Sequence, residues 1–269
     1  WLRFDLVAGI VLAAILGPQG LAYAELAGVP PVTGLCTTVV CPIVYALMGP
    51  SRVLVLGPDS SVSPLIFAAI VPLVVADDPA SAIVLAGMLA LMVGAIEIGL
   101  GLGKLGFIAD LLSKEVQVGY MNGLAITIVV GQLPKLFGFS TDADTFVQEV
   151  AAFFSGLDQT DAATLLLGLV TLGLLFGLPF ASKKIPAILV AVIVATVVTA
   201  ALDLADKGVQ TVGTLPRGLP VPSFPWTGWS DLAPLAAAAA GIVLVSLTDT
   251  IATSSRFAAR RGDEVDADR

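Results

Sequence analysis

Arg52-Val53-Leu54-Val55-Leu56-Gly57-Pro58-Asp59-Ser60-Ser61 decides how this chain is read. Val53 to Leu56 are apolar or β-branched and favour an extended backbone. Gly57 ends that run, Pro58 suits a first helical turn, and Asp59, Ser60 and Ser61 are helix-capping types. The apolar residues that follow predict a helix that begins inside a membrane, entered from an extended segment. Its N-terminus would turn amide hydrogens and the positive end of the helix dipole inward, which attracts anions. The plainer reading is a loop-to-helix start at the interface, with Asp59 capping and Arg52 close to the headgroups.

Composition sets the frame for that helix. Of 269 residues, 57% are apolar and 13% charged, whereas soluble domains sit near 45–50% and about 25%. The net charge of −8 leaves no basic surface for nucleic acid, and the absence of histidine removes the commonest general base and metal ligand. Cys36 and Cys41 lie in one apolar run and read as packing residues. No nucleophile–base pair or metal cluster is visible, so an enzyme is not expected. The chain reads as an all-α polytopic membrane protein, residues 1–269 forming one transmembrane transport domain. Neither an initiator Met nor a signal peptide opens it, and the acidic end from Asp263 stops abruptly, so it reads as a piece of something longer.

Apolar runs with Gly, Pro or charge punctuation predict spans over 5–26, 31–49, 58–76, 80–102, 115–137, 162–181, 185–202 and 232–256. A shorter amphipathic piece is expected from Leu105 to Leu112. With a cytoplasmic N-terminus, inner segments hold Arg3, Arg52, Lys104, Lys114, Lys183, Lys184, Arg256, Arg260, Arg261 and Arg269. Outer segments hold Lys135, Lys207 and Arg217 alone. This asymmetry follows the positive-inside rule. The outer face carries Asp77, Asp78, Asp142, Asp144, Asp158 and Asp161. Trp226 and Trp229 read as anchors at the outer interface. Gly168, Gly173 and Gly177, and the run Ala236 to Ala240, predict close helix packing.

Three acids remain inside the membrane: Asp59, Glu97 and Asp249. Such residues need water, a partner or a proton. Glu97, in a very apolar span, reads as an interhelical hydrogen-bonder. Asp249 and Thr253 stack one turn apart. A carboxylate and a hydroxyl, joined by backbone carbonyls, make an oxygen cage for a hard cation; the same carboxylate can carry a proton, or simply bond to neighbouring Thr and Ser. In the first span, Gly17-Pro18-Gln19-Gly20 predicts a break that frees carbonyls near mid-membrane. Gln19 and Tyr23, four apart, share a face toward the resulting cavity; the alternative is a proline kink with interhelical bonds.

Pro18-Gln19-Gly20-Leu21-Ala22-Tyr23-Ala24, followed by Leu26-Ala27-Gly28-Val29-Pro30-Pro31, resembles the signature of the SulP (sulfate permease) anion transporters. Ser51-Arg52 with Gly57-Pro58-Asp59, Gly119-Tyr120-Met121-Asn122-Gly123, Gln132-Leu133-Pro134-Lys135-Leu136, Leu215-Pro216-Arg217-Gly218-Leu219-Pro220 and Ser255-Arg256-Phe257-Ala258 also resemble that family, in its order.

The resemblance implies seven plus seven spans in inverted repeat, with broken first and third spans, and a core domain that moves against a gate domain. This chain would hold the first repeat and one further span. The tenth span, whose half-helix faces the third across the anion, would lie beyond it, as would a cytoplasmic STAS domain; alone it is expected not to transport.

By resemblance, Gln19, Tyr23, Asp59, Ser60 and Ser61 sit at substrate positions. Asp249 sits where relatives couple to a proton or sodium, and Asp249 with Thr253 is similar to the sodium-binding pattern of cyanobacterial bicarbonate members. Asp59 departs from neutral relatives: it either caps the helix or is protonated in transport. The implied function is secondary active transport of inorganic anions, sulfate first, by elevator-like alternating access with H+ or Na+ coupling. No cofactor other than a sodium ion is implied. A homodimer in a bacterial inner membrane, with a cytoplasmic N-terminus, is expected. The alternatives are sodium-coupled bicarbonate transport, a nucleobase transporter of the same fold, and a channel-like or motor-like anion binder. The first-span and Leu215–Pro220 motifs argue against nucleobases.

Overall fold

A computed structural model describes residues 2–49, 55–75, 78–105, 114–141, 143, 145–181, 186–212 and 223–261. Among them the regular elements are helical: α1 (Leu2–Leu26), α2 (Pro31–Met48), α3 (Ser63–Ile70), α4 (Pro79–Leu102), α5 (Lys114–Phe137), α6 (Phe146–Ser155), α7 (Ala162–Ala181), α8 (Ala187–Ala201) and α9 (Trp229–Arg261). Lipid offers backbone groups no partners, and helices satisfy them internally.

Five of these are long and apolar enough to cross a bilayer: Arg3–Leu26, Pro31–Met48, Pro79–Leu102, Ala162–Ala181 and Trp229–Ile251. α4, with 24 residues, is about 36 Å long at 1.5 Å per residue and exceeds the ~30 Å hydrocarbon layer. α5 has the length but carries more polar side chains, and α8 has 15 residues.

The expected third span over 58–76 is corrected. α3 occupies eight residues, followed by a 3-10 turn over Val71–Leu73. The expected interruption of the first span is also corrected. α1 is helical through Pro18, where the proline withholds the N–H that the Ala14 carbonyl would otherwise accept. The amphipathic piece expected at 105–112 falls almost wholly outside the described residues. α6 was not expected.

Local chemistry explains the ends. Gly28, at φ 73°, closes α1 as its Val29 neighbour donates N–H to the Ala24 carbonyl at 3.0 Å and its own N–H reaches Glu25 O at 3.1 Å. This double closure calls for a left-handed residue, and glycine takes it without penalty. Gly138, at φ 87°, closes α5 the same way. Asp78 caps α4 by accepting from the Ala80 N–H at 3.0 Å, with Pro79 following it. Asp161 caps α7: the Thr164 hydroxyl and N–H both donate to its Oδ2, at 2.6 and 2.7 Å. Those two bonds, the hydroxyl's first, hold its carboxyl below the usual carboxylate range.

The chain divides into two compact units. One comprises Trp1–Ile15 with Val118–Leu215, the other Leu16–Gln117 with Pro216–Arg269. Both divisions within helices fall at marked places: α1 divides just ahead of Gly17-Pro18, and α5 near its start.

In the first unit α7 packs on α8, and Phe153 of α6 meets Phe137 edge-on at 5.2 Å and Phe139 at 6.1 Å. In the second, α3, α4 and α9 share a core in which Ile70, Leu89, Leu235 and Ala239 are almost wholly buried. Lipid is as apolar as leucine, so close contact rather than water exclusion holds such helices together. α1 and α2 show this most directly. A Cβ on Gly34 would meet the Gly20 carbonyl, and one on Gly20 would meet the Thr38 hydroxyl.

Candidate functional site

All seven residues singled out from the sequence, Gln19, Tyr23, Asp59, Ser60, Ser61, Asp249 and Thr253, lie in the second unit. Asp59, Ser60 and Ser61 lie just ahead of α3. It packs against α4 and α9. The segment leading into it passes α1, where Gly57 lies beside the Leu16 side chain. At its other end, Phe67 of α3 covers the turn glycine Gly28.

The approach to α3 has no regular structure over 55–59 and turns over 60–62 before the helix starts at Ser63, while 50–54 lie outside the described residues. The sequence predicted a helix whose first turn holds Pro58; instead a turn intervenes and the helix starts five residues after Pro58. Pro64 takes the proline place in its first turn. The reason lies in Asp59. Its carboxylate accepts the Ser61 N–H at 2.9 Å and the Ser61 hydroxyl at 3.0 Å. Its carbonyl accepts the Ser63 N–H at 3.1 Å and the Ser63 hydroxyl at 2.7 Å. Asp59 therefore holds a turn ahead of the helix and takes up amides that the sequence left bare for an anion. Its side chain closes a turn on Ser61 ahead of the helix rather than capping α3, whose N-cap is Val62 with no side-chain cap bond. Ser61 is buried, 1% exposed, while Asp59 is exposed and Ser60 half-buried.

Gln19 and Tyr23 are half-buried on α1. Gly20 and Ala24, one position further round, face α2 through Gly34. At 3.6 residues per turn, the Gln19–Tyr23 stripe lies about 100° from that contact. Thr38 donates to the Gly34 carbonyl at 2.8 Å and reaches the Leu16 carbonyl at 3.5 Å, one turn ahead of Gly20 and next to the proline.

On α9, Asp249 and Thr253 are both half-buried. Thr248 is buried and donates to the Leu244 carbonyl at 2.6 Å. Among the described residues no group of three or more His, Cys, Asp or Glu side chains comes together. A cation at Asp249 would be held by one carboxylate with hydroxyl and carbonyl oxygens, a donor set that suits sodium rather than a transition metal.

One contact went unread. Glu97 on α4 comes within side-chain hydrogen-bonding reach of Ser246 on α9. The sequence pointed to Glu97 as an interhelical hydrogen-bonder without naming its partner. The signal was there: Ser246 opens the polar stretch that contains Asp249, one turn earlier.

Comparison with known proteins gives this arrangement a context. The sulfate permease family profile matches residues 2–269. A probable sulfate transporter of Mycobacterium tuberculosis (strain CDC 1551 / Oshkosh) is 41% identical over 267 residues, covering 99% of this chain and 48% of the relative. Sulfate transporter 2.1 of Arabidopsis thaliana is 34% identical, covering 98% of this chain and 41% of that protein. The chain thus spans about half the length of the curated relatives it matches. The transmembrane domain of the cyanobacterial bicarbonate transporter BicA superposes with a TM-score of 0.85 at 26% identity, over 99% of this chain and 68% of the other. SLC26A9 superposes with a TM-score of 0.87 at 24% identity, over 100% and 45%, and shares the fold. The relatives are named as transporters, not enzymes, and the apolar helices make this an integral membrane protein. On a match that runs through residues 2–269, the chain belongs to the sulfate permease family.

Proposed function

We propose that the chain forms part of a secondary transporter of small inorganic anions, sulfate first, working by elevator-like alternating access with H+ or Na+ coupling through Asp249. The observation that carries this reading is the short α3, entered from a non-helical segment and packed against α9. Transporters built from repeats bind substrate at such broken helices. Curated relatives named as sulfate transporters support the choice of anion.

Gln19, Tyr23 and Ser60 contribute polar side chains around the anion, and Asp59 and Ser61 set the turn that starts α3. Asp249, with Thr253, takes the proton or sodium. A coupling ion shifts the inward–outward balance only by its differential affinity for the two states. A core domain moves against a gate domain. The protein sits in a bacterial plasma membrane as a homodimer, N-terminus cytoplasmic. The second reading, sodium-coupled bicarbonate transport, is favoured by the likeness to BicA.

Uptake by the natively expressed protein in proteoliposomes tests both. Sulfate should accumulate under an imposed proton or sodium gradient, and Asp249→Asn should lower that uptake at least tenfold and remove its dependence on the gradient. Gradient-driven uptake undiminished in the variant removes Asp249 from the mechanism. Bicarbonate uptake exceeding sulfate uptake in the same vesicles decides for the second reading.

A further inference from the structure

Where α4 and α9 begin side by side, a cleft of about 250 Å³ opens, with Val75, Val84 and Leu85 as apolar wall and Asp78, Asp231 and Thr227 as polar lining. Thr227 is 6% exposed, and among the described residues its hydroxyl oxygen has no hydrogen-bond partner. Buried hydroxyls are almost always paired, because a lost partner is costly. The other polar groups are engaged locally. Ser81 donates to the Asp78 carbonyl at 2.8 Å and accepts from the Val75 N–H at 3.3 Å. Asp78 Oδ1 accepts from the Ala80 N–H, and Asp231 Oδ1 from the Ser230 hydroxyl, each at 3.0 Å.

We propose that this cleft binds a primary ammonium group carried on a short apolar body. Charge sets the sign and the size of the ligand's charge. Each helix N-terminus contributes about half a positive charge, so two carboxylates outweigh two helix ends by about one elementary charge. One monovalent cation balances that excess, and a divalent ion overshoots it. A calcium ion also wants six to eight oxygens, and no cluster of three acids is found among the described residues. Volume and lining argue against a bare monovalent ion: a water molecule occupies about 30 Å³, and the wall is apolar. An alkylammonium matches both ends of the cleft. Its N–H groups donate to the carboxylates and to Thr227, and its carbons lie on Val75, Val84 and Leu85.

The group has two sources. Trp226 and Trp229, packed edge-on at 5.4 Å and both exposed, adjoin Thr227 in sequence and are of the type that sits at headgroup level. A phosphatidylethanolamine headgroup therefore presents the same ammonium as a soluble amine.

The test uses the natively expressed protein in phosphatidylglycerol nanodiscs, titrated with n-butylammonium and followed by ligand-observed NMR. Saturable binding is expected, at least tenfold weaker in Thr227→Val and in Asp231→Asn, and restored in Thr227→Ser, which keeps the hydroxyl and controls for folding. n-Butanol should not compete, nor should sodium chloride beyond its ionic-strength effect. Replacing part of the phosphatidylglycerol by phosphatidylethanolamine raises the apparent Kd if the headgroup is the occupant and leaves it unchanged if a soluble amine is. Equal binding of n-butanol reduces the cleft to an apolar crevice, and specific displacement by sodium makes it a metal site. Unchanged binding in Thr227→Val means that water alone satisfies the hydroxyl. Each of these three results, or absence of saturable binding, overturns the proposal.

Discussion

At the scale of single residues, Asp59 is the one that matters most. A carboxylate 4 Å from an anion is repelled by about 4 kcal/mol per unit charge at an effective dielectric of 20, and a dianion doubles that. The turn bonds draw the charge back onto Ser61, which moderates the repulsion without removing it. Asn keeps an oxygen to accept the Ser61 N–H and loses the charge. Asp59→Asn should therefore tighten anion binding. If about 1.4 kcal/mol of repulsion remains in the native turn, the gain is tenfold. The KM for sulfate in proteoliposomes measures it, and an unchanged or higher KM shows that the carboxylate faces away from the anion. The sequence left two roles open for Asp59 because a capping residue and a titrating one look identical without coordinates. The difference lies in whether Ser61 and Ser63 donate to it.

At the scale of elements, legibility followed apolar periodicity. α7 runs over the predicted 162–181 to the residue, because Asp161 marks its start by capping and no charged residue interrupts its apolar length. α3 was misplaced because its start depends on hydrogen bonds within 59–63, which no periodicity reports. α6 was missed because its ten residues are too few to span a bilayer and stand among acidic loop residues; Phe153 holds it against Phe137 and Phe139, a tertiary contact.

The polar link between α4 and α9 was half legible. Glu97 was evident as an intramembrane acid, but Ser246 is one of many hydroxyls on α9. If that contact fixes the rotation of α9, it also fixes where Asp249 points, three residues on. A double-mutant cycle on Glu97→Gln and Ser246→Ala, read by thermal melting in nanodiscs, should return a coupling of about 0.5–3 kcal/mol. Additive effects would mean that the two side chains contribute separately, and that α9 is oriented by its apolar core with Leu85, Met88 and Leu89 alone.

At the scale of the whole molecule, the charge asymmetry predicts the direction in which the chain crosses the membrane. Ten of the thirteen Lys and Arg residues fall in segments assigned inside when the N-terminus is cytoplasmic, and cations near span ends resist translocation. α4 and α9 then both begin outside, which agrees with their N-termini lining one cleft and their apolar residues sharing one core.

Cysteine labelling separates the two orientations. In a Cys36→Ser, Cys41→Ser background, single Asp158→Cys and Asp206→Cys variants should react with a membrane-impermeant maleimide in intact cells. Lys104→Cys, at the far end of α4, should react only after permeabilisation. Labelling of Lys104→Cys from outside, with the other two protected, would reverse the orientation. The cleft between α4 and α9 would then open to the cytoplasm, and the acidic segments would face it.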